Sequence, residues 1–259
     1  MTSYTGLKPG TSPMNIRSLL KNALSIKSVR LFTHHISSKW HRYYGIPRNL
    51  SPISRSAGFD RGQPIDRYYI EKFLSAHAPD IKGRVLEFGN RAYTLRFGGN
   101  KVTKSDVLCV EEGNTEATIL ADLTRAHEIQ SDSFDCIIMT QALQMIYDYH
   151  TALQHLHRIL KPGGVLLVTT HGISKICRRE GRDPWGEYWR FTAQSARKIF
   201  LDYFSDESLQ IEVYGNVLTA VCLLHGLASH ELKESELDIQ DPDFEVLIAV
   251  RAVKAGESR

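Results

Sequence analysis

The stretch HLHRILKPGGVLLVTTHG, residues 155–172, changes character at its middle. A helical segment stops at Lys-Pro-Gly-Gly, because proline has no amide to donate and glycine accepts backbone angles closed to other residues. The apolar run that follows, GVLLVTT at 164–170, has the length and the flanking turn signals of a buried strand. Working outward, six more short runs read the same way: RVLEF (84–88), KVTKSDVL (101–108), ATILAD (117–122), FDCIIMT (134–140), LQIEVYG (209–215) and FEVLIAVRAV (244–253). Helical segments separate them, which predicts a doubly wound α/β sheet of seven strands. The last strand has the mixed pattern of an edge strand, and the connection before it, 216–243, reads as long and partly helical.

The 259 residues suffice for one full α/β domain with an appendage, and 42% hydrophobic content can fill its core. Charge is distributed unevenly. Residues 1–62 hold ten Lys or Arg against the single acid Asp60, a balance of +9, while residues 63–259 carry −6. Within the lead segment, IRSLLKNALSIKSVRLF (16–32) spaces apolar residues as one amphipathic helix. A Pro, Ser and Gly-rich stretch at 45–64 then marks the boundary between a basic helical extension, 1–62, and a domain spanning 63–259. IDRYYIEKFLSAHAPDI (65–81) reads as the domain's first helix, opened by Pro64. The basic extension can rest on its own acidic domain or dock on an acidic partner. It lacks the interleaved aromatics of a single-strand binder, which argues against nucleic acid. Cys109, Cys136, Cys177 and Cys222 form no CxxC pair, which predicts neither a disulfide framework nor a cysteine metal site. With no signal-like layout and no apolar run of membrane length, the expectation is a cytoplasmic protein.

In an open parallel sheet, ligands bind beyond the carboxyl ends of the strands. The first strand ends in Glu87-Phe88-Gly89-Asn90, where an acid can accept from an amine and Gly89 allows a sharp turn. Asp106 follows Gly89 by 17 residues, near the interval of about 20 at which a carboxylate meets ribose hydroxyls. Asp122 ends the third strand, where it can accept from an adenine amino group beside Leu123. Each acid alone is equally a turn or helix cap. Three at successive strand ends point to a nucleoside.

DSFDCIIMTQALQMIYD followed by ALQHLHRILKPGGVLLVTTHG resembles the class I S-adenosylmethionine-dependent methyltransferases over about residues 65–254. Arg158, Leu160, Lys161, Pro162, Gly163 and Gly164 match the family's R-x-L-K-P-G-G. The resemblance implies a Rossmann-like sheet, mostly parallel with an antiparallel last strand, and S-adenosyl-L-methionine as cofactor. It carries Glu87 and Gly89 onto the start of motif I, Asp106 onto the ribose acid, Asp122 onto the adenine-facing acid, and Thr140 and Gln141 onto the loop that lines cofactor and substrate. Tyr69, in the helix before motif I, reads as a lid over the cofactor or as plain packing. Motif I itself departs from the usual run of glycines: Arg91 and Tyr93 stand where glycines are common, so Asn90, Arg91 and Tyr93 either point away from the ligand or hold its carboxylate in an unusual way.

His171, directly after the fifth strand, is placed to act as a base toward an acceptor hydroxyl, or simply to bond backbone. Asp183 to Thr192 (DPWGEYWRFT) offers Glu187, Tyr188 and two Trp as an acceptor wall, or else a plug before a helix capped by Thr192. Nothing in the transfer requires a metal. The leading expectation is O-methylation of a small molecule or glycan. The alternatives are a different displacement on the same cofactor, releasing methylthioadenosine, and a silent binding module docking through the basic arm. Self-association is compatible with all three.

Overall fold

All seven expected strands form: β1 (Gly83–Phe88), β2 (Val102–Cys109), β3 (Ile119–Leu120), β4 (Phe134–Thr140), β5 (Leu160–His171), β6 (Leu209–Tyr214) and β7 (Leu247–Val253). The computed structural model describes residues 49–178 and 186–256. The described residues from Ser51 onward belong to one compact unit. The expected amphipathic helix at 16–32 lies outside the described residues, as do Asp183, Pro184 and Trp185.

The strands join one sheet in the order β3-β2-β1-β4-β5-β7-β6. Pairing is parallel from β3 through β5, and β7 runs antiparallel to both β5 and β6. The antiparallel last strand is therefore present, but it is not the edge strand expected from its pattern. β6 forms the edge, and Leu247, Ile248, Ala249 and Val250 of β7 are fully buried. The polar residue that disturbs the pattern, Arg251, reaches out of the strand to both oxygens of Asp80, at 2.7 and 3.1 Å.

Helix α1 (Ile65–Ala76) buries Ile65, Tyr69, Ile70, Phe73 and Leu74, the stripe expected of a 3.6-residue period. It packs on one face of the sheet with α4 (Val217–His225), around Val85, Ile138, Leu167 and Ala249. The other face carries α2 (Tyr149–Ile159) and α3 (Ala193–Phe200), around Leu86, Ile137, Leu166 and Ile248. Each of these later helices starts on a side-chain cap: Asp148 for α2, Thr192 for α3 and Asn216 for α4. Residues 54–64 are seated in the same unit. The Ser54 amide donates to the His225 carbonyl at 3.0 Å, and Pro64 bridges to Ala228.

The signature that decides the fold works at the amino edge of the sheet. Lys161 Nζ contacts both carboxylate oxygens of Asp135, at 2.9 and 2.8 Å, so the Asp of the FD strand and the Lys of K-P-G-G lock β4 to β5. Arg158 donates to the carbonyls of Ala126 and Ile129, which ties down the loop before β4. Gly163, at φ +77°, supplies the turn and donates to the Lys254 carbonyl at 2.9 Å. With the amino edge fastened in this way, the carboxyl edge opens into the long loops. None of the described helices is long and apolar enough to cross a membrane.

Candidate active site

The winding reverses between β1 and β4, so their carboxyl ends define the crevice. Glu87, 2% exposed, does not reach outward to a ligand there. One of its oxygens accepts from the Tyr93 amide at 3.1 Å, the other from the Thr94 amide and hydroxyl, both at 2.7 Å. Burial raises its pKa, and the three donors from Thr94 and Tyr93 work against that rise. Gly89 turns at φ +82°, and a Cβ built on it would meet nothing within 4 Å, so its backbone faces open space. Asn90 caps the turn by accepting from the Ala92 amide at 2.9 Å. Arg91 leaves the crevice for Glu116, at 3.3 Å to the carboxylate.

Asp106 requires a correction. It sits within β2, opposite Leu86, three residues short of the strand end, and is 3% exposed. Its oxygens are held by Arg84 Nε at 2.7 Å and by the Thr118 hydroxyl at 3.2 Å. At about 3.3 Å of rise per residue this places it roughly 10 Å from the crevice. The first acid beyond the end of β2 is Glu111. It is exposed just past Cys109, the last residue of β2, and follows Gly89 by 22 residues. A signal was present in the sequence, since that spacing is nearer the expected interval than 17; ending the strand at Leu108 hid it.

Asp122 does stand beyond the carboxyl end of β3 and is exposed, with one oxygen taken by the Thr124 amide and hydroxyl, both at 2.9 Å. Leu123 beside it belongs to the core, at 2% exposure. Thr140 ends β4, and Gln141 follows it in a left-handed conformation, φ +53°, that non-glycine residues seldom adopt. Gln141 Oε1 accepts from Gln144 Nε2 at 2.9 Å, and Gln144 Oε1 accepts from the Thr170 hydroxyl at 3.0 Å. Among the described residues, five buried side-chain polar atoms have no hydrogen-bond partner, and Gln141 Nε2, Thr169 Oγ1 and Arg67 Nε are three of them. Such groups are costly unless something satisfies them. The first two lie where β4 and β5 end, and Arg67 lies in the first turn of α1.

Tyr69 also requires a correction: it is core rather than lid. Its ring is 1% exposed, stacks on Tyr214 with centroids 5.5 Å apart, and its hydroxyl donates to the Leu237 carbonyl at 2.9 Å. His171, by contrast, is in the crevice but is not free to act as a base. Its Nε2 faces Asp66 at 3.6 Å and its Nδ1 faces Glu187 at 3.4 Å. Burial alone would depress its pKa, and the two carboxylates outweigh it, so the ring holds its proton above the usual histidine value. Glu187 is equally committed, accepting from the Cys177 amide at 2.5 Å and from Arg190 at 2.7 Å. Burial pushes its carboxyl up, but His171, the Cys177 amide and Arg190 hold it at about 2. These groups form an ionic rivet joining α1, β5 and the segment from 187 to 190.

Tyr188 is 55% exposed and meets Tyr147, 68% exposed, edge to face with centroids 5.3 Å apart. Trp189 backs Tyr147 by stacking at 5.8 Å and donates to the Ile146 and Tyr147 carbonyls. The amides of Tyr188 and Trp189 both donate to the Gln144 carbonyl, which moors this aromatic corner to the loop after β4.

A sheet wound 3-2-1-4-5-7-6, with an open glycine after β1 and exposed acids after β2 and β3, defines a nucleoside-binding domain of the class I methyltransferase type. The chain belongs to the methyltransferase domain family, which matches residues 32–213. The cofactor of that domain is S-adenosylmethionine. Solved structures of the same fold include a SAM-dependent methyltransferase from Archaeoglobus fulgidus, with 14% identity and TM-score 0.50 over 73% of this chain and 94% of that one. A methyltransferase from Mesorhizobium loti is similar at 18% identity and TM-score 0.47, covering 71% and 98%. The cyclase SpnF is similar at 16% and 0.49, covering 90% and 97%. No curated protein matches the chain in sequence.

Two outcomes follow from this geometry. Replacing Glu111 by Ala should weaken adenosylhomocysteine binding about tenfold, while Asp106→Asn should lower stability and leave affinity within about twofold, as calorimetric titration and urea unfolding would read. Loss of affinity in Asp106→Asn with none in Glu111→Ala would reverse the assignment. For the rivet, His171→Ala should cost about 3 kcal/mol at pH 6, because two carboxylates lose their buried partner. A histidine with a raised pKa stabilises fully below its unfolded value of 6.5, and that contribution is lost as pH rises through the folded value. The difference between wild type and variant should therefore shrink from pH 6 to pH 9; a constant difference would refute the ionic reading.

Proposed function

We propose that the chain transfers the methyl group of S-adenosylmethionine to an oxygen of a small-molecule or glycan acceptor by direct displacement. The observation that carries this reading is the Tyr147–Tyr188 corner, two largely exposed rings at an interplanar angle of 73° on the carboxyl edge of the sheet. Their exposed faces adjoin in one apolar patch that a ring-shaped acceptor can cover. A planar or sugar ring can lie against one face and present its edge to the other.

The residues present fit the cofactor. The open Gly89 backbone lets a ligand approach β1 closely, Glu111 is the first acid past β2 and serves the ribose diol in this reading, and Asp122 keeps one oxygen for the adenine amine. Gln141 Nε2 and Thr169 Oγ1 supply unspent polar atoms at the ends of β4 and β5. When bound, the cofactor brings a sulfonium-activated methyl, so the protein need only align the acceptor and exclude water from the reacting pair.

Neither His171 nor Glu187 is available to take the acceptor's proton, since each is held within the rivet. The proton therefore leaves to solvent at the rim. That suits an oxygen that ionises readily, a phenol or a carboxylic acid such as the uronic carboxyl of a glycan, over an alkanol. Tyr188 contacts the acceptor through its ring rather than by proton transfer, and Glu187 acts by fixing the loop that carries it.

Incubation with S-adenosylmethionine and a panel of phenolic and carboxylic acceptors, analysed by mass spectrometry, should give adenosylhomocysteine and methylated product in equal amounts. Tyr188→Ala should raise the acceptor KM about tenfold with adenosylhomocysteine affinity unchanged. Release of methylthioadenosine instead would overturn methyl transfer.

A further inference from the structure

The loop after β1 has little left to offer the amino-acid end of the cofactor. The Gly89 amide donates to the Leu108 carbonyl, that of Ala92 to the Asn90 side chain, and those of Tyr93 and Thr94 to Glu87. Arg91, the cation that the sequence places in the loop, is turned to Glu116 by its Nε and to the Glu116 carbonyl by its Nη2, at 3.3 and 3.2 Å. A carboxylate arriving at this end of the crevice needs another cation.

Arg67 is that cation. It stands in the first turn of α1, where the positive end of the helix dipole makes a cation unfavourable and where Asp66 already serves as the acidic residue. Its position is therefore not explained by the helix. Nor does a partner acid take up its donors: Asp66 lies near enough to act on it through charge but accepts no hydrogen bond from the guanidinium. The Asp66 carboxylate is occupied by the Arg67 amide at 2.9 Å and by His171 at 3.6 Å. Among the described residues, the guanidinium makes a single hydrogen bond, from Nη1 to the Tyr93 hydroxyl at 3.1 Å, and its buried Nε has no partner. The Phe59 ring lies on one side of it, 6.0 Å from the guanidinium carbon. Tyr93 belongs to the loop whose glycines are missing, so the one bond that Arg67 makes aims it at motif I.

We infer that Arg67 binds the carboxylate of the cofactor's amino-acid tail, in the place of a glycine-rich backbone cradle. A guanidinium presents paired donors in a fixed plane that matches a carboxylate fork to fork. This inference rests on the cofactor reading above and adds to it the residue that recognises one end of the molecule. The Tyr93 hydroxyl, by accepting from Nη1, acts as a positioning group for the fork.

The test compares two nucleosides that differ in that tail. Adenosylhomocysteine carries the carboxylate; methylthioadenosine has the same adenosine and sulfur without it. Calorimetric titration of the full chain should show Arg67→Gln weakening adenosylhomocysteine by about 10- to 100-fold, the loss expected for a charge-assisted contact. Methylthioadenosine affinity should stay within about twofold, which also shows that the variant is folded. Arg67→Lys, keeping the charge without the fork, should lose less than Arg67→Gln. Equal losses for the two nucleosides, or no loss for adenosylhomocysteine, would overturn the inference. Wild-type protein that binds neither nucleoside would overturn the cofactor reading itself.

Discussion

Three hydrogen bonds to a buried carboxylate hold the crevice in shape. Glu87 leaves β1 pointing into the protein and gathers the Tyr93 amide and the Thr94 amide and hydroxyl onto its two oxygens. A buried carboxylate without donors would be strongly unfavourable, and hydrogen bonds to a charged group contribute about 1.5 to 3 kcal/mol each. The side chain thus does for the turn what a run of glycines does elsewhere: it fixes the path of the chain from 89 to 94. Gly89 is still needed, because its φ of +82° and open backbone belong to the one position where the chain must both turn and stay clear of the crevice. Asn90 caps the turn, and Arg91, which stands at the next glycine position, finds work outside the ligand's path on Glu116.

The two edges of the sheet divide the labour. At the amino edge, Arg158, Lys161 and Asp135 bind loops and strands to one another, so the R-x-L-K-P-G-G signature is a fastening device. At the carboxyl edge, the rivet of Asp66, His171, Glu187 and Arg190 draws α1 and the loop after β5 together across the crevice. That placement brings the first turn of α1, with Arg67, beside the loop after β1, and sets the Tyr147–Tyr188 corner above the loop after β4.

Much of the fold could be read from the chain because β1, β4, β5 and β7 carry apolar runs, and because the signature residues act locally. β7 was misjudged as an edge because Arg251 interrupts an otherwise apolar strand, and its partner Asp80 is 171 positions away. The site was legible in part. Gly89, Asp122, Gln141 and Tyr188 lie at the carboxyl edge, as their places after the strands suggested. Asp106 misled because the interval to Gly89 fixes a distance along the chain, not where β2 ends. Tyr69 misled because helical spacing alone does not say whether a ring faces the sheet or the crevice. His171 was found in the right place with the wrong role, since the two carboxylates that claim it come from residues 105 positions before it and 16 after it. Arg67 left no pattern at all; only the fold shows that its neighbouring acid bonds the Arg67 amide and His171 and not the guanidinium.

The central claim is that the crevice binds an adenosyl cofactor with Glu87 still tying the loop and Arg67 meeting the tail. A crystal structure of the chain with adenosylhomocysteine measures this directly. The account predicts the nucleoside against Gly89 with its ribose on Glu111, the tail carboxylate on Arg67, and the hydrogen bonds from Tyr93 and Thr94 to Glu87 intact. A ligand carboxylate held by the amides of residues 90–94, with Glu87 released from Thr94, would contradict it.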